Sequence, residues 1–184
     1  MHRMALLKLL QKYSTSPLLT EEEVPMLARI IEFITDEPDC FQRELLKGHI
    51  TASALITNEE NTAVILLHHK KLNIWVQPGG HADGDSNVLG VALKEALEET
   101  GLETLYPLSQ DIFDVDIHWI PEGKVPGHWH YDIRFILQAS ADSSIVSNDE
   151  SLSVIWAKPA DVLKRTQEKS MLRLIKKWQN NYQE

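Results

Sequence analysis

The sequence predicts an α/β domain preceded by a helical extension, and three observations carry that expectation. Two apolar stripes at helical spacing open the chain. β-rich runs separated by turn signals fill its middle. A glutamate-rich helical stretch begins shortly after a Pro-Gly-Gly sequence and closes on a glycine. The 184 residues suffice for one domain of ordinary size with a substantial core, and 43% hydrophobic against 24% charged residues is a globular balance. The formal net charge of −9 argues against general nucleic-acid binding, because phosphate backbones are held by surplus Lys and Arg. An acidic protein still handles anionic substrates when a metal neutralises them. The single cysteine, Cys40, excludes an internal disulfide framework and a Cys-rich structural zinc site, which fits a reducing, cytoplasmic setting. No run approaches the roughly 18 apolar residues that span a bilayer, so no membrane partner is expected. Arg3, Lys8 and Lys12 stand among twenty residues without an acid, but Lys8 interrupts the apolar stretch and no small-residue cleavage site follows.

In chain order, Met4 to Tyr13 carries leucines at 6, 7, 9 and 10 and reads as a short amphipathic helix. After Ser16-Pro17, Thr20 and Glu23 have the spacing of a capping box, and Leu27, Ile30, Ile31 and Ile34 form a second helical stripe. Pro25 moves the start of that helix toward Val24. Residues 1–45 are thus expected to form a helical extension whose apolar faces suit a homodimer, and 46–184 the main domain. Phe41-Gln42-Arg43 leads toward His49, with Arg43 a candidate substrate contact. Ile50–Thr57 and Thr62–His68 predict a hairpin across Asn58-Glu59-Glu60-Asn61. The cluster His68, His69, Lys70 and Lys71 places His69 among the groups able to meet phosphate; a solvated loop is the plain alternative. Ile74–Val76 is a short strand delivering Gln77-Pro78-Gly79-Gly80, whose Pro and paired glycines are expected to turn tightly outside any element.

From Asp85 or Ser86, either a possible N-cap, the pattern becomes helical, with Leu89, Leu93, Ala96 and Leu97 on one side and Gly101 as terminator. Glu95, Glu98 and Glu99 share the opposite face. Each like-charge pair there costs roughly 0.2–0.5 kcal/mol in an isolated helix. Two of the three also stand in the last turn, where the helix dipole disfavours negative charge. Lys94, one turn before Glu98, relieves part of this. A hard divalent cation held by carboxylate oxygens and a turn carbonyl reverses the sign of the cost; without one, the trio is a solvated acidic face.

A second polar concentration spans Phe113 to Gln138. Alternation places Asp114, Asp116 and His118 on one face of a strand. After a loop at 121–127, it places His128, His130, Asp132 and Arg134 on one face of another. Paired as a hairpin, the two faces adjoin, forming either a site or the wet side of a sheet. From Asn148 the chain continues through a last strand near Leu152–Ala157, with Pro159 as a helix N1 residue. Met171, Leu174, Ile175, Trp178 and Tyr182 are expected as a buried C-terminal stripe. The six Lys/Arg against three Asp/Glu in 161–184 read as a solvated helix face.

The stretch Gly80 to Leu102, GHADGDSNVLGVALKEALEETGL, resembles the Nudix box, G-x5-E-x7-R-E-U-x-E-E-x-G-U with U aliphatic. The first glycine falls on Gly80, R-E on Lys94 and Glu95, E-E on Glu98 and Glu99, and the closing pair on Gly101 and Leu102, with every spacing kept. Two positions depart: Ser86 replaces the first glutamate, with Asp83 and Asp85 close by, and Lys94 replaces the arginine, losing its two-pronged donor geometry. GHITASA at 48–54, QPGGHADGD at 77–85 and HWHYDIRF at 128–135 resemble a bacterial Nudix subgroup of mostly unassigned activity.

The resemblance implies an α/β/α sandwich with a mixed sheet over roughly 46–180. It implies hydrolysis of a small-molecule nucleoside diphosphate derivative to a nucleoside monophosphate and a second phosphate compound. By it, Glu95, Glu98 and Glu99 with the Gly80 carbonyl hold Mg²⁺ or Mn²⁺, and Lys94 belongs to the catalytic set. The general base stays open between the box glutamates and an acid or histidine of the second region. His81, His128, His130 and Asp132 are the first choices for further substrate or metal contacts, with Arg134 beside them, and the HxHxD run suits a transition metal. Two other classes stand beside this one. A Nudix-fold prenyl-diphosphate isomerase would use a cysteine, for which only Cys40 is available, and a non-catalytic nucleotide-sugar-binding protein would leave the glutamate set without use.

Overall fold

The computed structural model describes residues 2–140, 144–146 and 151–183. Helix α1 (Met4–Tyr13) buries Leu6, Leu10 and Tyr13, and α2 (Val24–Asp36) buries Leu27, Ile30, Phe33 and Ile34. Arg3 joins them, donating to the carbonyls of Ile34 and Thr35 at 2.6 and 2.9 Å. The expected capping box closes in an unusual sense. The Thr20 N–H and hydroxyl both donate to Glu23 Oε2, at 3.0 and 2.7 Å, and Glu23 itself is the N-cap and fully buried. Pro25 then falls in the first turn, where its missing N–H costs nothing.

The sheet contains β1 (Gly48–Thr57), β2 (Val64–His69), β3 (Ile74–Val76), β4 (Gly79–His81), β5 (Leu105–Pro107), β6 (Asp114–Ile120), β7 (His128–Ala139) and β8 (Ser151–Ala157). Between β4 and β5 runs α3 (Val88–Thr100), and α4 (Pro159–Arg165) and α5 (Lys169–Tyr182) end the chain. The strand order is β3-β2-β1-β7-β5, with β4 on β1, β6 on β7 and β8 on β2. β1 and β7 are parallel along ten residue pairs, from Gly48↔Trp129 to Thr57↔Gln138, while β1–β2 and β6–β7 are antiparallel. The sheet is therefore mixed.

Alternation along β1 and β7 sorts the layers. Ile50, Ala52, Ala54 and Ile56 of β1, with Tyr131, Ile133 and Phe135 of β7, pack into one core with α1, α2 and α3. Leu55 and Ile136 point the other way, into a second core with Val162 of α4 and Met171, Leu174, Ile175 and Trp178 of α5. An α/β/α sandwich results. The apolar faces of the N-terminal helices that suit a homodimer lie inside this chain's own core.

Two expectations change. Gly79 and Gly80 lie in β4, paired as Ser53↔Gly79 and Ala52↔Gly80, rather than in a turn. Their glycines answer to close approach, since a Cβ on Gly79 would overlap the Ser53 side chain. The tight turn comes at 82–85, with positive φ at Asp83 and Gly84 and the Asp85 N–H bonded to the Ala82 carbonyl at 2.9 Å. The C-terminal charges are not all solvated, because Arg173 and Lys177 turn inward, their side chains 7% and 3% exposed. Asn148 lies outside the described residues.

Candidate active site

The Asp85 side chain accepts the Asn87 N–H at 2.8 Å, and Asn87 in turn accepts the Gly90 N–H at 3.2 Å, so Asn87 caps α3 instead of Asp85 or Ser86. Gly101 ends the helix in the left-handed region at φ 67°. The deep face is Val88, Val91, Ala92, Ala96 and Thr100, flanked by the partly buried Leu89, Leu93 and Leu97. Opposite β4, the three glutamates stand at graded depth. Glu99 is buried and accepts the Gly79 N–H at 2.8 Å; the Glu95 side chain is 20% exposed and the Glu98 side chain 58%. Lys94 reaches Glu95 at 3.2 Å and Glu98 at 3.6 Å, and these partners raise its pKa. A Cβ on Gly80 would overlap the Glu95 carboxylate, so only glycine lets that group lie against the strand backbone. The carboxylates of Glu95, Glu98 and Glu99 are hard-oxygen donors of the kind that Mg²⁺ or Mn²⁺ takes.

The other side of the sheet carries the β6–β7 polar face, and the hairpin pairs as expected: Asp114↔Arg134, Asp116↔Asp132, His118↔His130. It is not wet. Asp114, Asp116, Asp132 and Arg134 are all buried. Arg134 meets Asp132 at 2.8 Å, Asp116 at 3.2 Å and Asp114 at 3.3 Å. Arg173 of α5 bridges Asp114 and Asp116 at 3.0 and 3.1 Å, and Lys177 lies between Asp114 at 2.9 Å and Glu23 at 2.6 Å. Tyr13 donates to Glu23 at 2.6 Å, carrying the network to the N-terminal extension. Burial alone would raise the Asp114 pKa, but Arg134, the hydrogen bonds from Arg173 and Lys177 outweigh it, and the net shift is downward. The acceptors of Asp132 are filled by Thr51 at 2.9 Å, Ser53 at 2.8 Å and Arg134.

Farther along that face the charges give way to imidazoles. His49 of β1, His81 of β4 and His128 and His130 of β7 crowd together, with ring centroids 4.9–5.1 Å apart. His118 lies 5.3 Å from His130 and donates from Nδ1 to the Asp116 carboxylate, 3.1 Å away. Burial, then the neighbouring imidazoles, pushes His49 down to about 4; burial, then His118 and His81, pushes His130 down to about 2. Both are neutral at physiological pH.

The structure thus brings together Lys94, Glu95, Glu98, Glu99 and Gly80 in one place, and His81, His128 and His130 in another. Asp132 and Arg134 belong to the buried ion network. Arg43 makes a two-pronged ion pair with Asp83 in the 82–85 turn, which lowers the Asp83 pKa. His69 ends β2, where its ring accepts the N–H groups of Lys71 and Leu72 at 3.2 and 3.3 Å. Cys40 is fully buried, and burial pushes its thiol up to about 11, the behaviour of an inert core cysteine. His49 was missed by sequence reasoning. The signal was its place in the alternation His49-Thr51-Ser53, two residues before the groups that hold Asp132.

Comparison with known proteins bears on the family and the fold. The family model described as the NUDIX domain matches residues 47–178. An Ap4A hydrolase from C. elegans superposes with a TM-score of 0.57 at 18% identity, covering 71% of this chain and 95% of that one. A NUDIX-family hydrolase from Clostridium perfringens gives 0.53 at 23% identity, with 72% and 97% covered. The NUDIX domain of Shewanella oneidensis NrtR, complexed with ADP ribose, gives 0.53 at 17% identity, with 88% and 98% covered. At these identities the likeness concerns the fold. An m7GpppN-mRNA hydrolase of Danio rerio is 57% identical over 30 residues, 16% of this chain; the chain matches about a tenth of that curated relative's length, 10%.

Proposed function

Since the chain belongs to the Nudix family, we propose that it hydrolyses a diphosphate linkage in a small nucleoside diphosphate derivative, releasing a nucleoside monophosphate and a second phosphorylated product. The observation that supports this most is the depth-graded set of Glu95, Glu98 and Glu99 against the Gly79-Gly80 strand. Glu95, Glu98 and Glu99, with the Gly80 carbonyl, would hold Mg²⁺ or Mn²⁺. The ion supplies charge neutralisation on the diphosphate and acidifies a bound water. The chain's own residues do the positioning. The hydrogen bond from Gly79 fixes Glu99 against β4, and the missing side chain at Gly80 admits Glu95. Lys94 steers Glu95 and Glu98 from the solvent side, as one point charge in place of an arginine fork. Glu98, the most exposed of the three, is the member we assign to proton transfer. We assign the activity to the cytoplasm, where nucleotides and a reduced Cys40 belong together.

Related Nudix structures bear the names of an Ap4A hydrolase and of a domain complexed with ADP ribose, so dinucleoside polyphosphates and ADP-ribose head the substrates to try. The test is release of phosphorylated products from a panel of nucleoside diphosphate derivatives with Mg²⁺ or Mn²⁺. Metal-dependent turnover of at least one compound is expected. No turnover across the panel, together with tight binding of one member, would overturn hydrolysis in favour of a binding protein.

A further inference from the structure

We propose that His49, His81 and His130, joined by His128, form a transition-metal site of the Zn²⁺ type that is separate from the glutamate site on α3. One ligand nitrogen from each of His49, His81 and His130 lies within 4.8 Å of the others. The Nε2 atoms of His128 and His130 are 3.2 Å apart. Two ligands of a tetrahedral ion, each about 2.0–2.1 Å from it, stand roughly 3.3 Å apart, so this pair already has ligand spacing, and the other rings must close in from within 4.8 Å.

Two further features point to a ligand. The first is orientation. The Pro126 carbonyl only accepts, so His128 Nδ1, 2.9 Å away, is its donor; the Nε2 of the neutral ring then accepts the Nε2–H of His130, a proton that His130 must give up or move to Nδ1 when an ion takes both Nε2 lone pairs. Metal-binding histidines are characteristically held this way, with the second ring nitrogen donating to a carbonyl. The second is an unmet demand. His49 is 1% exposed, and among the described residues neither of its ring nitrogens has a hydrogen-bond partner, although the Leu45 carbonyl acts on the ring from nearby. A buried polar group left so costs about 1–3 kcal/mol, and a bound ion would remove part of that cost.

The donor set also selects the ion. Neutral imidazoles suit Zn²⁺ and its neighbours, whereas Mg²⁺ needs oxygen ligands. The nearest carboxylate on β7, Asp132, is already filled by Thr51, Ser53 and Arg134. β4 separates the two sites: the place of a Gly80 side chain is against Glu95, and His81, next along the strand, faces the histidines from the other side. An ion there would tie β1, β4 and β7 together and fix the strand whose neighbouring carbonyl serves the glutamates. The site does not depend on the hydrolase reading.

The experiment titrates chelator-stripped full-length protein with Co²⁺ as a spectroscopic probe, then with Zn²⁺ and Mg²⁺ as competitors. One equivalent of Co²⁺ should give the visible absorption of tetrahedral nitrogen ligation, displaced by Zn²⁺ and untouched by excess Mg²⁺. The half-exposed His81→Gln and the His128→Gln variants, each checked for folding by circular dichroism, should weaken binding at least about tenfold, and Glu98→Gln should leave it unchanged. Absence of that absorption in the wild type would overturn the site. So would its loss in Glu98→Gln with retention in His81→Gln.

Discussion

The polar face of β1, β6 and β7 has two ends built on one alternation, and they differ in what covers them. At one end Asp114, Asp116, Asp132 and Arg134 are buried under α5, and Arg173 and Lys177 complete the charge balance. At the other end His49 is buried, and among the described residues neither of its ring nitrogens has a hydrogen-bond partner. The same strand pattern therefore yields a structural ion network where Arg173 and Lys177 of α5 reach it and a cluster of imidazoles farther along. Polar residues whose hydrogen bonds are complete hold the fold; polar residues left incomplete are available for chemistry.

The largest effect should come from opening the closed end. Lys177→Ala leaves Glu23 and Asp114 buried without their shared cation, and losing one partner of a buried ion pair costs about 3–5 kcal/mol. Urea unfolding should show that loss, and a change below about 1 kcal/mol would mean the network contributes nothing the fold needs. Acid probes the same end with less force. The folded pKa of Asp114 is lowered, so its contribution is fully present above the unfolded value of 3.8 and disappears as pH falls through the lower folded value. Thermal unfolding followed downward from pH 5 should therefore steepen below about 4, and Asp114→Asn should reduce that steepening, leaving the part due to Asp116, whose pKa is lowered too. The smallest effect belongs to the open end. His49→Leu removes unpaired nitrogens rather than bonded ones, so stability should stay within about 1 kcal/mol of the wild type or rise. A loss of the size expected for Lys177→Ala would erase the distinction between the ends.

Much of this was legible locally. The stripe at 4–13 gave α1 its bounds, and strict alternation gave the β6–β7 hairpin together with the shared face of its polar residues. The glutamate trio was readable because helix spacing is short-range. Burial of the polar face was not, because it depends on Arg173 and Lys177, 57 to 63 residues away from Asp114 and Asp116 in the chain. Nor was the parallel pairing of β1 with β7, which brings His49 beside His130 across 81 positions of sequence. β4 was hidden for another reason. Paired glycines have turn propensity, and only the close approach of Ser53 and Glu95 explains their place in a strand. β5, three residues ending in a proline, carries no alternation to read.

The glutamates on α3 remain the centre of the functional account, and one comparison tests them most directly. On the best substrate of the panel, initial rates are measured against Mg²⁺ concentration for the wild type and for Glu98→Gln, an exposed, near-isosteric change that leaves the fold in place. Hydrolysis should require the cation and fall about 10²- to 10³-fold in the variant, the scale for losing one well-placed electrostatic group. Rates within roughly threefold of the wild type at every Mg²⁺ concentration, where a tenfold change corresponds to about 1.4 kcal/mol, would contradict the assignment.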